Sequence, residues 1–162
     1  MPNIVYRKIK ASDNVEIARV IREVLTEHGL DIPGTVYTDS TTDQLFETFQ
    51  IDKAEYWVVE IDNAIAGGVG LYPTNGLDDD CTELVKLYLL NTSRGLGVGK
   101  KLMEMVIEEA SVLGYSKVYL ESLPELSEAI GLYEHMGFKM LNHPLGNSGH
   151  FACNIWMQKD LK

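Results

Sequence analysis

The segment from Cys81 to Gly114 constrains this chain most. Residues 81–90 form an apolar, strand-like run, Arg94-Gly95-Leu96-Gly97-Val98-Gly99-Lys100-Lys101 follows, and Leu102, Val106, Ala110 and Leu113 then recur at helical spacing up to Gly114. A long strand, a glycine-rich turn and a helix over 98–113 are expected in that order. The glycines let the backbone approach an anion with no side chain in the way. The first amides of a helix have no intrahelical acceptor, and the helix dipole favours negative charge at that end. Arg94, Lys100 and Lys101 add local positive charge to a chain whose formal net charge is −10. The turn predicts a phosphate or pyrophosphate site; the alternative is a tight strand–helix connection with no ligand.

Two familiar phosphate motifs do not fit. A P-loop needs Ser or Thr after its Gly-Lys, and Gly99-Lys100 is followed by Lys101. A Rossmann turn needs Gly-x-Gly-x-x-Gly after the first strand of a βαβ unit, whereas the spacing here is Gly95-x-Gly97-x-Gly99, past the middle of the chain.

The remaining elements alternate around this unit. Residues 4–9 read as a first strand. Asp13 with Glu16 resembles a reciprocal helix cap, and Ile17, Val20, Ile21, Val24 and His28 then lie at helical spacing up to Gly29. A short second helix is expected over 42–50, with Leu45, Phe46 and Phe49 inward. Tyr56–Ile61 and 64–72 form a hairpin around Asp62-Asn63, and Gly67, Gly68 and Gly70 leave the second strand thin enough to admit close neighbours. Strands at 117–121, 138–141 and 150–159 and a helix at 125–135 complete the order β-α-α-β-β-β-α-β-α-β-β. In the last strand Phe151, Cys153, Ile155 and Met157 alternate. Antiparallel hairpins early and βα units later give an α/β (α+β) class with a mixed, mostly antiparallel sheet of about seven strands and about four helices.

The acidic balance and the lack of a basic face argue against nucleic-acid and anionic-membrane partners. No apolar run approaches the roughly 18 residues of a membrane span, and the N-terminus lacks the pattern of a signal peptide. Cys81 and Cys153 have no metal-ligand spacing and read as reduced thiols of a cytoplasmic protein. His143 and His150 flank a Gly-rich loop with no Cys or carboxylate close in sequence, so no metal site is expected. Trp57, Trp156, Met136 and Met140 read as core or sheet-face residues.

The spacing Arg94-x-x-Gly97-x-Gly99 after a long apolar strand resembles the acetyl-CoA signature of the GNAT superfamily of N-acetyltransferases. Glu83-Leu84-Val85-Lys86-Leu87-Tyr88-Leu89 is similar to the family's fourth strand, in the branch reading Glu-Leu-x-Lys-Leu-Tyr-Val. Ala129–Phe138 resembles its later motif, Ala-x-x-Leu-Tyr-x-x-x-Gly-Phe, and the element order agrees over nearly the whole chain. The resemblance implies one N-acetyltransferase domain over residues 1–162, with a sheet splayed at an acetyl-CoA cleft. It implies that Leu87, Tyr88 and Leu89, the turn Arg94, Gly95, Leu96, Gly97, Val98, Gly99 and Lys100, and Tyr133 hold acetyl-CoA as cosubstrate. Many members carry an Asn near the start of the later helix; Leu126 aligns with it here, and Ser127 is the substitute contact. The acceptor implied is a small-molecule or peptide amine, rimmed by the loops 29–41 and 143–150, and a homodimer is compatible with the family.

Aminolysis of a thioester needs a base for the ammonium proton, a donor for the oxyanion and an acid for the thiolate. The resemblance puts Glu83 beside the acetyl group as base, with Asp80 and Glu121 in reserve. It puts the Tyr133 hydroxyl near the sulfur as acid. A backbone amide near Leu89, exposed where a strand splays or bulges, is the oxyanion donor. Competing readings are a catalytically silent acyl-CoA sensor and an ATP-binding protein.

Overall fold

In the computed structural model, which describes residues 1–161, the chain runs β1 (Ile4–Lys8), α1 (Asn14–Glu27), α2 (Leu45–Thr48), β2 (Glu55–Ile61), β3 (Ala64–Tyr72), β4 (Cys81–Leu89), α3 (Val98–Val112), β5 (Lys117–Ser122), α4 (Ser127–His135), β6 (Lys139–Met140) and β7 (Ile155–Asp160). The strands form one sheet in the order β1-β2-β3-β4-β5-β7-β6. Only β4 and β5 run parallel; every other pairing is antiparallel. The expected class, strand number and element order all hold.

Strand alternation sends two sets of side chains to opposite faces. Trp57, Val59, Val69, Leu71 and Leu84 meet Val98, Leu102, Val106 and Ala110 of α3. Tyr56, Val58 and Ile65 meet Ile17, Val20, Ile21 and Leu25 of α1. Leu102 and Leu25 have no exposed surface, and burying each such side chain contributes on the order of 1.5–3 kcal/mol. Gly68 and Gly70 face α1, and a Cβ on either would sit 2.6 Å from the Tyr56 ring. That bare stretch of β3 lets the Tyr56 ring lie across it and donate its hydroxyl to the carbonyl of Lys86 on β4, 2.9 Å away.

The site is created by two irregularities of β4. Gly68 pairs with Tyr88 and Gly70 with Val85, so Lys86 and Leu87 together stand opposite Val69 in a β-bulge. Lys86 has φ 55°, a left-handed conformation that costs a non-glycine residue about 1–3 kcal/mol. On the other side, β4 pairs with β5 only through Cys81↔Lys117, Thr82↔Val118 and Glu83↔Tyr119. From Leu84 onward the two strands part, leaving the β5-facing edge of β4 without a strand partner.

Three local expectations are corrected. Asp13 does not cap α1. Its carboxylate instead accepts from Arg7 Nη1 at 2.8 Å, from Arg7 Nη2 at 3.0 Å and from the Lys10 amide at 2.7 Å. The expected second helix over 42–50 is a single α turn (Leu45–Thr48) entered from a 3-10 turn (Ser40–Gln44). The last strand begins at Ile155 rather than 150, because Phe151 leaves the sheet to lie on Gly34 and the Ala152 amide donates to the Gly34 carbonyl at 3.0 Å.

Candidate active site

Where β4 and β5 diverge, three cavities lie in succession. The first, about 230 Å³, runs between the glycine-rich turn and α4, with Leu87–Leu90 along its floor and Val24 of α1 and His28, just past the end of α1, on its rim. The second, about 40 Å³, shares Leu87, Tyr88 and Leu126 with it and adds Tyr133, Cys153 and Glu83. The third, about 260 Å³, shares Glu83, Val85, Lys86 and His150 with the second and opens on the α1 side among Asp39, Thr74 and Ser148. The parted sheet is thus a passage from one face to the other.

The turn has the expected character. Gly95 and Gly97 have φ of 76° and 71°, which glycine adopts without strain. Among the described residues, no acceptor is found for the amides of Gly97, Val98, Gly99 and Lys100. These donors, at the start of a 15-residue helix, form an anion cradle of the kind α-helix N-termini supply. Arg94 lines the groove and reaches across its mouth to Glu128 at 3.0 Å. Both side chains are more than half exposed, so this pair contributes little stability. Leu96 and Lys100 are exposed on the turn and do not line the groove. Ser127 is exposed as well; Leu126 lines the groove in its place.

Glu83 stands at the last β4–β5 pair and is 2% exposed. The Thr74 hydroxyl donates to its Oε1 at 2.5 Å. Burial pushes its carboxyl up to about 7 and Glu121 adds to the rise, against the Thr74 bond and the positive ends of His150 and Lys86. A carboxyl so poised is a good proton acceptor at neutral pH. Asp80, by contrast, is exposed, bonds the Ser116 hydroxyl at 2.6 Å and lines none of the three cavities. Glu121 lines the second cavity, but its carboxylate already accepts from the hydroxyls of Tyr119 and Ser148.

Tyr133 is buried in the second cavity with its ring centroid 5.9 Å from that of Phe138. Among the described residues, no protein group bonds its hydroxyl. Burial raises its pKa above that of an ordinary phenol, keeping it a donor. Cys153 lines the same cavity, and burial, then Glu121 and Glu83, push its thiol up to about 12. It is therefore unreactive as a nucleophile at neutral pH.

Lys86, Asp39, His150 and Thr74 join Glu83 around the third cavity; Asp39 and His150 belong to the loops 29–41 and 143–150 expected to rim the acceptor site, whereas Lys86 and Thr74 were not expected there. His150 Nε2 donates to Asp39 Oδ2 at 2.9 Å, and Lys86 Nζ lies 3.6 Å from the same oxygen. Burial opposes the charge on Asp39, but His150, Lys86 and Thr41 outweigh it and hold the carboxyl well below the usual range. Glu83, Glu121 and His150 bring ligand atoms within 4.8 Å of one another, a spacing that could hold a cation. The hydrogen bonds of Glu121 and His150 commit both to protein partners, so the group acts first as the network that surrounds Glu83. The oxyanion donor was expected near Leu89. The strand irregularity that frees backbone groups is at Lys86–Leu87, nearer Glu83.

Residues 22–138 match the model of the acetyltransferase (GNAT) family. An uncharacterized N-acetyltransferase of Escherichia coli K12, YjgM, is 40% identical over 158 residues, covering 97% of this chain and 95% of its own. A GNAT-family acetyltransferase from Staphylococcus aureus Mu50 superposes with a TM-score of 0.84 at 20% identity, covering 99% of this chain and all of the other. The acetyltransferase yncA from Salmonella typhimurium, solved with its cofactor acetyl-CoA, superposes with a TM-score of 0.74 at 20% identity over 99% of this chain and 95% of its own.

Proposed function

The chain belongs to the GNAT family of acetyltransferases, and from that premise we propose that it moves an acetyl group from acetyl-CoA to a primary amine by direct attack, with both substrates bound at once. The observation that carries this reading is Glu83, a buried carboxyl near neutral pKa where the second cavity, which continues from the groove beside the glycine-rich turn, meets the third on the α1 side. The residues fit acetyl-CoA. The amides of Gly97–Lys100 would hold its pyrophosphate, and the floor Leu87–Leu90 with Leu132 would give the pantetheine arm an apolar channel. Acetyl-CoA supplies the activated acyl group as a thioester. Glu83 takes the proton from the acceptor nitrogen, directly or through a water. Tyr133 gives its hydroxyl proton at the departing sulfur, and the unpaired β4 edge near the Lys86–Leu87 bulge offers the oxyanion its amide. No helix among the described residues is long and apolar enough to cross a membrane.

Release of free thiol from acetyl-CoA, measured over a panel of amines, tests the reaction. Acetyl-CoA binding with no amine-dependent thiol release from any member would overturn it. The turn is tested separately by Gly97→Asp, which sets a carboxylate among the donors of the cradle. CoA affinity is expected to fall about 30-fold, roughly 2 kcal/mol of like-charge and desolvation cost. Unchanged affinity by isothermal titration in a folded variant would remove the turn from the site.

Direct attack also predicts that Cys153 carries no acyl group. Cys153→Ser is expected to keep kcat within about 3-fold of the parent, because a thiol with its pKa near 12 is protonated in all but a trace of molecules at pH 7. Trapping of an acetylated Cys153 by mass spectrometry, with loss of turnover in the serine variant, would replace direct attack by a two-step route.

A further inference from the structure

The Lys86 ammonium touches no substrate in the transfer described above, yet the fold goes to some length to place it. Simple alternation along β4 would put residue 86 on the same face as Leu84, towards α3. The bulge adds one residue at that point, so Val85 and Lys86 both turn towards the α1 side while Leu87 returns to the α3 side. The Tyr56 hydroxyl fixes the turned peptide through the Lys86 carbonyl at 2.9 Å. The result is an ammonium in the wall of the third cavity, next to Glu83, with a side chain 6% exposed.

That ammonium is under-partnered. It has three protons to donate, its one ion pair among the described residues is with Asp39 at a long 3.6 Å, and Glu83 is its other acidic neighbour. Asp39 is itself already shared with His150 and the Thr41 amide and hydroxyl. Burial pulls the Lys86 pKa down, while Asp39 and Glu83 support its charge. A buried, charged donor with spare protons facing a cavity favours an anionic ligand.

Building on the acetyltransferase reading, we propose that Lys86 binds the carboxylate of the acceptor, which is a free amino acid with an apolar side chain. A zwitterion matches the pair of groups presented by β4: its ammonium meets Glu83 and its carboxylate meets Lys86, with no net charge brought into the cavity. Phe49 and Tyr72, packed edge to face with centroids 5.5 Å apart, and Val85 form the apolar part of the wall. A dianion such as a phosphate is disfavoured, because Asp39 and Glu83 already flank the ammonium and Glu121 stands beside Glu83. A protein lysine side chain presents no nearby carboxylate and leaves Lys86 unmatched.

The test compares matched acceptors at saturating acetyl-CoA: L-phenylalanine against 2-phenylethylamine, and L-leucine against 3-methylbutylamine. The amino acids are expected to have kcat/KM at least about 10-fold higher, the difference a charge-assisted hydrogen bond makes. Lys86→Met should bring the ratio of kcat/KM for each amino acid to that for its matched amine down to about 1, through KM of the amino acid, whatever the variant does to the common rate by altering the field at Glu83, and Lys86→Arg should restore part of the ratio. Equal use of amines and amino acids by the parent, or a preference that survives in Lys86→Met, overturns the proposal and leaves the acetyltransferase reading intact. If no amine releases thiol, the acetyltransferase reading fails. Calorimetric titration of L-phenylalanine into CoA-saturated protein then decides on Lys86: binding lost in Lys86→Met supports its role, and no binding to the parent overturns it. Unchanged CoA affinity in Lys86→Met shows that the variant is folded.

Discussion

Glu83→Gln is expected to lower kcat/KM for a high-pKa amine by about 10²–10³-fold at pH 7, the usual weight of a positioned base. The shape of the pH profile says more than the size of the loss. With the Glu83 carboxyl near 7, parent kcat/KM should rise as pH passes through that value, because the ionised carboxylate is the active form. The glutamine variant should lack this limb and recover rate only at alkaline pH, where the amine arrives deprotonated. An aniline, neutral at pH 7, should be far less sensitive to the substitution. A variant with the parent's pH profile would give the proton to another group, with Glu121 the nearest remaining carboxylate in the passage.

The same residue carries a stability signature of definite sign. Its folded pKa lies above the ordinary glutamate value, so between about 4.5 and 7 the folded protein holds a proton that the unfolded chain has lost. Stability therefore falls as pH rises through that window and levels off above it. For a shift of this size in a buried group the cost is on the order of 3 kcal/mol at pH 8. Glu83→Gln should melt higher than the parent at pH 8 and show no such gain below pH 4.5. A variant that loses activity and also loses stability at pH 8 would indicate structural damage.

Much of this arrangement was legible in the sequence, and the parts that were not share a cause. The turn at Arg94–Lys101, the strand Cys81–Leu89 and the helix behind them are local patterns, and local patterns survive into the fold. Gly67, Gly68 and Gly70 announced a thin strand, and the Tyr56 ring fills that space. The loops 29–41 and 143–150 were expected at the acceptor site, but the bonding of the network around Glu83 was hidden because its members come from distant segments: Asp39 from a 3-10 cap, Thr74 from the loop after β3, and His150 from a loop that meets Asp39 across 111 positions. No short-range signal joins them. Lys86 was hidden for another reason. Period-two alternation assigns it the wrong face, and only the bulge, a non-local feature of the β3–β4 pairing, turns it towards the acceptor side. The last strand was overextended for the same kind of reason: the alternation of Phe151 and Cys153 with Ile155 is real, but Gly34, far away in sequence, offers Phe151 a flat surface and takes it out of register.

Tyr133→Phe removes one oxygen and is expected to cost about 10²-fold in turnover. The ring's packing against Phe138 and its place in the wall of the second cavity do not depend on the hydroxyl. Because no protein group bonds that hydroxyl among the described residues, its loss should leave stability within about 0.5 kcal/mol; a bonded buried hydroxyl would cost more. Burial keeps the phenol protonated throughout the working pH range, so it is available as a donor whenever a thiolate departs. Affinity for CoA should move less than about 2-fold, since the contact that matters forms as the carbon–sulfur bond breaks. A solvent isotope effect on turnover in the parent, reduced in the phenylalanine variant, would mark the proton as moving in that step. Losses of similar size in turnover and CoA affinity would instead assign Tyr133 to the packing of the groove, and the thiolate would then leave with a proton drawn from solvent.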